Sequence, residues 1–322
     1  MKNIQADIKS GNFKQVYLLY GEEAYLKQQY KQNLVKALNP DEDTMNFNHY
    51  EGKGIDVKQL IDLCETMPFF AERRVVLLED TGFFKNKCEE LADYMKELPD
   101  YLYLVFAETE VDKRNRMYKA VKACGSIAEF IRQDEKTLMR WAAGILGKAG
   151  KKITQRDMEL LLTKTGTDMG NLRMEMEKLI SYTEGRDVVT AEDIEEICTT
   201  QTTNRIFDMV RAVTEKNQKR ALELYYDLLT LKEPPMRILF LLAKQYRQLL
   251  LAKQFAAAGL AQTEIASKLG VPGFVVKNIT TCARAYTISE LEQAVKDFVD
   301  AEESVKTGRL EDKLSVELLI IK

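Results

Sequence analysis

The fold of this chain is indicated by one stretch, Val16-Tyr17-Leu18-Leu19-Tyr20-Gly21-Glu22-Glu23. An apolar strand ends there at a glycine, and a helical pattern follows at once. Such a junction can hold phosphate, because backbone N–H groups and the positive end of the helix attract anions. Here two glutamates occupy the helix start, and no Gly-Lys-Ser/Thr sequence follows. The stretch therefore predicts the scaffold of a nucleotide-binding site without the chemistry that would bind a triphosphate.

Short apolar runs alternate with helical patterns on both sides of this stretch, over the first ~130 residues. This alternation predicts βαβ units and a mostly parallel sheet that is covered by helices on both faces. The predicted strands are Val16–Tyr20, Met45–Tyr50, Val75–Glu79, Tyr101–Phe106 and Ile127–Phe130. The predicted helices between them are Glu23–Leu38, Val57–Thr66, Asn86–Leu98 and Arg114–Ala123.

Strand patterns disappear from about Asp134 onward, and helical periodicity continues to the end of the chain. Capping sequences predict helix starts at Thr154, Thr190 and Ser289. The Pro234-Pro235 pair predicts another start, because proline suits the first turn of a helix. We therefore expect the remainder of the chain to be helical.

A chain of 322 residues is long for one hydrophobic core, so we expect more than one domain. The loss of strand patterns near Asp134 predicts the first boundary, and the polar stretch Thr199–Asn204 predicts the second. The sequence predicts an α/β domain over residues 1–135, a small helical domain over 136–203 and a helical bundle over 204–322.

The charge and the rare residue types exclude several classes of function. A net charge of −3 gives no overall attraction to nucleic acid, so a DNA contact would need a local patch or partner subunits. The five cysteines lie far apart without a C-x-x-C pair, which is typical of reduced thiols in a cytosolic protein. His49 is the single histidine, and a structural role is favoured for it. We therefore predict no metal site and no catalytic residue.

No part of the sequence has the pattern of a membrane segment. The N-terminal stretch Met1–Asp7 lacks the apolar core of a signal peptide. The most apolar long stretch, Arg237–Leu260, is interrupted by three cations, which favours a buried or partner-facing helix over a membrane span. We therefore expect a cytoplasmic protein with no membrane partner.

Two local motifs could carry function. The strand Val75–Glu79 with Asp80 resembles the metal-holding acid pair of a Walker B motif. That function needs a phosphate loop with a lysine, which is missing, so a strand followed by a solvated acidic turn is favoured. Met67-Pro68-Phe69-Phe70 is the more unusual motif, because it places three large apolar side chains on a short connection. Such side chains are enriched as anchors in partner pockets, although a loop folded back on its own core remains an equal alternative.

Two further segments could contact DNA. Thr263–Pro272 resembles the start of a helix-turn-helix, but the next helix offers mainly Phe274, Val275, Val276 and Ile279, which favours packing over reading of a DNA groove. A basic stretch follows the fourth predicted strand, directly after several acids, and a mixed-charge solvated face is its default interpretation. A contact to a DNA backbone stays open for its cations, Lys113, Arg114, Arg116, Lys119 and Lys122.

The order and spacing of five motifs resemble the delta-subunit family of bacterial DNA polymerase III, a member of the clamp-loader group. The resemblance covers essentially the whole chain. Each motif alone is weak, but their order and spacing together are fairly specific. The motifs are Tyr17–Leu26, Met67–Arg74, Gly170–Leu179, Ile206–Val210 and Lys306–Leu310.

This resemblance implies an AAA+-like fold for the first two domains, with a small helical lid-like second domain and no bound nucleotide or other cofactor. It implies that the third, all-α domain joins the subunits of a pentameric loader in a collar. In the family, an apolar pair before the third strand enters a pocket on the ring-shaped sliding clamp and helps to open the ring. That pair corresponds to Phe69-Phe70, beside Met67 and Pro68, although family members often carry leucine at the first position.

The resemblance therefore implies three partners: the sliding clamp, the other loader subunits through the C-terminal domain, and primed DNA in the assembled complex. The chain would belong to a DNA-directed DNA polymerase holoenzyme without a catalytic site of its own. Two alternatives stay open. One is an AAA+-type ATPase with a degenerate site, and the other is a helix-turn-helix DNA-binding regulator that uses Thr263–Thr280.

Overall fold

The computed structural model describes residues 2–199, 202–271 and 273–322, and of Lys2, residues 202–204 and Phe274 it describes the backbone alone. The middle of the predicted boundary Thr199–Asn204 and the Pro272 position of the predicted helix-turn-helix therefore lie outside the described residues. The chain forms two compact units, Met1–Gln133 and Asp134–Lys322. The three predicted domain ranges remain a prediction.

The first unit is built on a five-stranded sheet in which every described pairing is parallel, with the order β2-β3-β4-β1-β5. All five predicted strands are present, with ends that differ by at most two residues from the prediction. They are β1 Val16–Tyr20, β2 Phe47–Glu51, β3 Arg74–Glu79, β4 Leu102–Glu108 and β5 Ser126–Glu129. Because the strands are parallel, all of them begin at one end of the sheet, here called the amino end, and finish at the other, the carboxyl end.

Helices cover both faces of this sheet. Successive residues of β1 point to opposite sides, and because all of them are buried, both sides need cover. Tyr17 and Leu19 pack in a cluster with Ile4 and Leu34, whereas Leu18 packs with Leu60 in a cluster on the other face. The first cluster is covered by α1 Lys2–Ser10 and α2 Ala24–Leu38. The second is covered by α3 Val57–Glu65, α4 Glu89–Tyr94 and α5 Arg116–Cys124.

The helix α1 was not predicted, and α4 is shorter than the predicted Asn86–Leu98. In α1 the fully buried Ile4 is the main apolar contact with the core, which leaves too little periodicity to identify a helix in the sequence. The parallel sheet with helices on both faces confirms the predicted α/β class for this part of the chain.

The first part of the second unit combines four helices with a small parallel sheet of two strands. The strands are β6 Lys152–Ile153 and β7 Val188–Val189. The prediction that strands end near Asp134 is therefore wrong for these two elements, which are too short to give a period-2 pattern. The helices around them are α6 Glu135–Lys148, α7 Gln155–Thr165, α8 Met169–Tyr182 and α9 Ala191–Ile197.

The regular elements in the remaining described residues of the second unit are all helices, which confirms an all-α C-terminal part. Pro234 caps the long helix and Pro235 is its first residue, as predicted. The predicted start at Ser289 is wrong by two residues, because Thr287 forms the capping box with Glu290 instead. The helices are α10 Thr202–Thr214, α11 Gln218–Thr230, α12 Pro235–Ala257, α13 Gln262–Leu269, α14 Gly273–Ala283, α15 Ile288–Lys306 and α16 Asp312–Ile321.

None of the helices in the described ranges is both long enough and apolar enough to cross a membrane. The longest of them, α12, runs from Pro235 to Ala257 and buries one face, including Ile238, Leu242 and Leu249, in the core of the second unit.

Candidate functional site

The junction between β1 and α2 lies at the carboxyl end of the sheet, where a nucleotide phosphate would be expected. Gly21 has a φ of +125°, and a Cβ atom there would lie 2.3 Å from the carbonyl oxygen of Phe130. The Phe130 N–H donates to the Tyr20 carbonyl at 2.7 Å, and the Phe130 carbonyl accepts from the Glu23 N–H at 3.0 Å. Glycine is therefore required at position 21 by the close approach of two backbone segments. The Glu23 N–H at the start of α2 already donates to the chain's own Phe130 carbonyl, so it is not free to bind a phosphate.

The two glutamates of this junction differ in their surroundings. Glu22 is exposed and lies 3.5 Å from the Nε atom of Arg132, whereas Glu23 is buried at the N-cap of α2. A buried carboxylate and a backbone segment at the helix start both disfavour a bound polyphosphate. This geometry favours the interpretation of a nucleotide scaffold that does not hold a nucleotide.

The acid pair at the end of β3 is also bonded within the chain. The Glu79 carboxylate accepts from Lys31 Nζ at 2.6 and 2.7 Å, and His49 Nε2 lies 3.0 Å from it. The Asp80 carboxylate accepts from the backbone N–H and the hydroxyl of Thr109, at 2.9 and 2.8 Å. The single histidine thus has a structural contact, and these bonds favour the structural interpretation of the Walker B-like motif.

Glu108 is a buried carboxylate at the end of the neighbouring strand β4. It accepts from the Thr81 hydroxyl at 2.6 Å and from the Thr81 N–H at 3.1 Å. Burial raises the pKa of Glu108 above its ordinary value, and the Thr81 bonds only partly oppose this rise. Within the described residues, no group of three or more His, Cys, Asp or Glu side chains could hold a metal ion. The polar groups at the carboxyl end are thus mainly bonded to one another.

The amino end of the sheet carries the exposed apolar motif. The tip segment, defined here as Thr66–Arg73, connects α3 to β3. The exposed fractions of Met67, Phe69 and Phe70 are 74%, 56% and 94%. The two phenylalanine rings lie edge to face with centroids 4.5 Å apart. The structure therefore rejects the alternative that this connection folds back on its own core.

The backbone of the tip segment is held by two buried polar side chains. Asn46 is only 4% exposed; its Oδ1 accepts from the Phe69 N–H at 2.6 Å, and its Nδ2 donates to the Phe69 carbonyl at 2.8 Å. Arg74 is also buried, and its guanidinium donates to the carbonyl oxygens of Thr66 at 2.8 Å and Met67 at 3.3 Å. Asn46 and Arg74 were not identified from the sequence, which gives no signal that these polar residues are buried.

The chain conformation of the tip segment is partly strained. Helix α3 ends at Glu65, and Thr66 is already extended two residues before Pro68. Phe70 has a φ of +50°, which is a left-handed conformation. For a residue other than glycine this conformation costs about 1–2 kcal/mol, so it persists only where neighbouring bonds fix the backbone.

The segment that resembles a helix-turn-helix forms two helices, α13 and α14, with Gly270 in the left-handed conformation between them. Val276 and Ile279 of α14 are fully buried in the core of the second unit. This burial supports the packing interpretation of that helix, and Lys277 is left on its exposed surface.

The basic stretch after β4 lies among carboxylates, as a mixed-charge face would. Three of its five cations form surface ion pairs within the first unit, and such pairs are of little energetic consequence. The pairs are Lys113 with Glu129, Arg114 with Asp112 and Arg116 with Asp93. A contact of this stretch with DNA stays a hypothesis.

Comparison with known proteins decides the family. A family model described as DNA polymerase III, delta subunit, matches residues 17–130, and a model of the C-terminal domain of the same subunit matches residues 203–322. Together the two matches cover more than two thirds of the chain. The chain belongs to the DNA polymerase III delta subunit family. The first match includes both the β1–α2 junction and the tip segment.

Two relatives agree with this assignment, and one solved structure shares the fold. DNA polymerase III subunit delta of Bacillus subtilis (strain 168) is 26% identical over 332 residues, covering 99% of this chain and 95% of that protein. A probable DNA polymerase III subunit delta of Aquifex aeolicus (strain VF5) is 22% identical over 276 residues, covering 81% of this chain and 77% of that protein. The solved structure of a Bacillus subtilis DNA clamp loader delta protein superposes with a TM-score of 0.67 at 24% identity, covering 99% and 98% of the two chains. This last similarity shows the fold.

Proposed function

We propose that the chain binds and opens the sliding clamp as a subunit of the clamp loader. Phe69 and Phe70 would enter an apolar pocket on the clamp, with Met67 and Pro68 beside them. The observation that carries this proposal is the exposure of an aromatic pair on a backbone that is fixed by buried side chains. Membership of the delta subunit family supports the same partner.

The energetics of the tip segment agree with a docking role. Burial of a phenylalanine side chain is favourable by about 1.5–3 kcal/mol, and here two such side chains remain in solvent. Aromatic side chains of this kind carry much of the binding energy in protein interfaces, and methionine adapts to irregular pockets. Docking in a clamp pocket would therefore bury apolar surface that the isolated chain leaves exposed, and this burial would favour binding.

Nucleotide would act on other subunits of the loader. The close approach of Phe130 to Gly21 and the bonded acid pair at Glu79 and Asp80 support a subunit that binds no ATP itself. The chain would respond to ATP through contacts with its neighbours. It would work in the cytoplasm as part of the polymerase III holoenzyme, and it would meet primed DNA in the assembled loader.

The C-terminal helices would supply the contacts with other loader subunits. Helix α16 supports this role, because it leaves Leu314, Leu318 and Ile321 exposed at spacings that place them on one face. We assign the collar to residues 204–322, the small lid-like domain to 136–203 and the clamp-binding α/β domain to 1–135.

The test is the affinity of the full chain for the sliding clamp. The Phe69→Ala/Phe70→Ala double variant should bind about 30- to 700-fold more weakly, because loss of central aromatic anchors costs about 2–4 kcal/mol. Surface plasmon resonance with immobilised clamp gives the dissociation constants. The same samples, titrated with a fluorescent ATP analogue, should show no saturable binding.

The matched control is Ile131→Ala, which removes another exposed apolar side chain of the first unit. Ile131 is 62% exposed and follows β5 at the carboxyl end of the sheet. It should leave clamp affinity unchanged. If the double variant binds the clamp as tightly as the parent chain, Phe69 and Phe70 are not the anchors. Micromolar binding of the ATP analogue would instead favour the alternative of an ATPase with a degenerate site.

A further inference from the structure

We propose that Asn46 and Arg74 are positioning residues, which hold the tip segment in its docking conformation before the clamp arrives. This inference rests on the proposed function of Phe69 and Phe70. Neither Asn46 nor Arg74 needs to touch the clamp, since both are buried beneath the tip segment. Their role would be to fix the backbone from which the anchors project.

The side-chain amide of Asn46 bonds to both backbone groups of one residue. Its oxygen accepts from the Phe69 N–H at 2.6 Å and its nitrogen donates to the Phe69 carbonyl at 2.8 Å. This pair of bonds resembles one rung of a sheet, and it prevents rotation of the Phe69 backbone. A buried amide that lost these partners would leave unsatisfied polar groups, so the conformation is strongly favoured.

The orientation of the Asn46 amide is itself determined by a neighbour. Asp43 accepts from Asn46 Nδ2 at 2.5 Å. This bond fixes which amide atom is the nitrogen, so Oδ1 is the atom that faces the Phe69 N–H. Asn39 exchanges two 3.0 Å bonds with the backbone of Asp43, and the Asn39 N–H also caps α2 by donating to Val35. The bonds therefore connect the tip segment to the end of a packed helix.

Arg74 holds the other side of Pro68. Its guanidinium donates to the carbonyl oxygens of Thr66 and Met67, and the planar group keeps these two carbonyls in a fixed relation. Arg74 is the first residue of β3, and its own N–H donates to the Tyr101 carbonyl at 2.8 Å. The tip segment is thus attached to the sheet as well as to α2.

The left-handed Phe70 is the second observation that these bonds explain. A strained backbone at an exposed position has no packing reason to persist, and Phe70 is 94% exposed. The bonds at Phe69 determine the chain direction into Phe70 and so present its ring to solvent. A loop that is ordered before binding loses less conformational entropy on docking, which increases affinity.

The test measures order at the tip segment separately from clamp binding. Chymotrypsin cleaves after phenylalanine, and cleavage of the free full chain after Phe69 and Phe70 reports local opening. In Asn46→Ala this cleavage should be about tenfold faster or more, and clamp affinity should fall about tenfold, because two backbone hydrogen bonds are lost. Mass spectrometry assigns the cleavage sites, and calorimetry records the melting temperature.

Asn115→Ala is the matched control for a purely structural effect. Asn115 also fastens a loop, since its Nδ2 donates to the Asn86 carbonyl at 2.9 Å and its Oδ1 accepts from the Met117 N–H at 2.9 Å. It lies beyond β4, at the opposite end of the sheet. Its loss should lower the melting temperature but leave cleavage at the tip segment and clamp affinity unchanged.

An exchange of the amide and the carboxylate between positions 43 and 46 tests whether the order of the tip segment can be restored. Asn46→Asp alone would place two carboxylates at the 2.5 Å contact with Asp43, and it should open the tip segment as much as Asn46→Ala. In the Asp43→Asn/Asn46→Asp double variant the amide and the carboxylate exchange places, so an amide N–H again faces a carboxylate oxygen at this contact. Part of the protection of the tip segment against chymotrypsin should therefore return. Arg74→Lys keeps the positive charge without the planar fork and provides a second route to an open tip segment if Asn46→Ala folds poorly.

The outcomes separate the two proposals. Faster cleavage at the tip segment together with weaker clamp binding supports the positioning role. Unchanged cleavage in both Asn46→Ala and Arg74→Lys overturns it, whatever the clamp affinity. If these variants open the tip segment while Phe69→Ala/Phe70→Ala binds the clamp normally, the proposed function has failed and a role of Asn46 and Arg74 in docking is overturned with it.

Discussion

Gly21 and Phe70, two of the residues with positive φ angles in the α/β unit, have them for opposite reasons. At the carboxyl end of the sheet, Gly21 has a φ of +125° in a position where a Cβ atom would overlap the Phe130 carbonyl. At the amino end, Phe70 has a φ of +50°, where glycine would be less strained, and its ring is left in solvent. The first position is explained by close packing of the chain. The left-handed backbone of Phe70 costs free energy that no packing of its ring against the core offsets, which is expected at a binding site.

The polar groups at the two ends follow the same division. At the carboxyl end, Lys31, Glu79 and Glu108 bond within the chain. At the amino end, Asn46 and Arg74 bond to backbone that carries exposed side chains. One end is therefore organised to satisfy its own groups, and the other is organised to present apolar groups outward.

The largest effect expected from this comparison is on stability at the carboxyl end. Gly21→Ala should lower the free energy of unfolding by about 3–5 kcal/mol, because the new methyl group would displace the Phe130 backbone and the φ angle would be strained. Urea denaturation followed by far-ultraviolet circular dichroism measures this loss.

Gly52→Ala is the control that separates strain from overlap. Gly52 has a φ of +87° with nothing within 4 Å of its potential Cβ atom, so only about 1–2 kcal/mol should be lost. Equal losses in the two variants would show that the approach of Phe130 does not constrain the junction, and the contrast between the two ends would weaken.

A smaller effect of opposite sign is expected at the amino end. Phe70→Gly should be more stable than Phe70→Ala by about 1 kcal/mol, because only glycine relieves the left-handed backbone. Both variants should lose clamp affinity alike, since both lack the ring. The free energies of unfolding come from the same urea titrations, and the clamp affinities from surface plasmon resonance. A Phe70→Gly variant that is less stable than Phe70→Ala would show that Phe70 is not strained.

The sequence was sufficient for the three central strands of the sheet because almost all of their residues are buried. The fully buried β1 gives a continuous apolar run that ends at Gly21, and the turn and helix signals around it identify the βα order. The pair Phe69-Phe70 likewise stands out in the sequence, because proline and two aromatics on a short connection are unusual, but the sequence left exposure and packing on the core as equal alternatives. By contrast, β6 has two residues and gives no periodic signal.

The support beneath the tip segment could not be predicted for a different reason. Asn46 and Phe69 are 23 residues apart, and they meet only because two strand-to-strand connections return to the same end of the sheet. An asparagine before a strand is common in loops, and the sequence does not tell which of them is buried. The same limit applies to Arg74, whose charge gives no hint that its guanidinium faces the backbone of Thr66 and Met67. Contacts of this kind depend on the tertiary fold.

The smallest expected effect compares one carboxylate from each end as pH changes. Burial raises the pKa of Glu108 above 4.5, so the folded state holds more protons than the unfolded state, and the free energy of unfolding falls as pH rises from 4.5. Hydrogen bonds from Asn46 and Met45 lower the pKa of Asp43 below 3.8, so its stabilisation is present above that pH and is lost as pH falls through the lowered pKa. Urea titrations should run from below pH 3.8 to above pH 4.5, where Glu108→Gln should flatten the slope above 4.5 and Asp43→Asn the slope below 3.8. If Glu108→Gln keeps the full slope, the carboxyl end tolerates a buried charge. The contrast between an end that satisfies its own polar groups and an end that presents apolar groups outward would then rest on the tip segment alone.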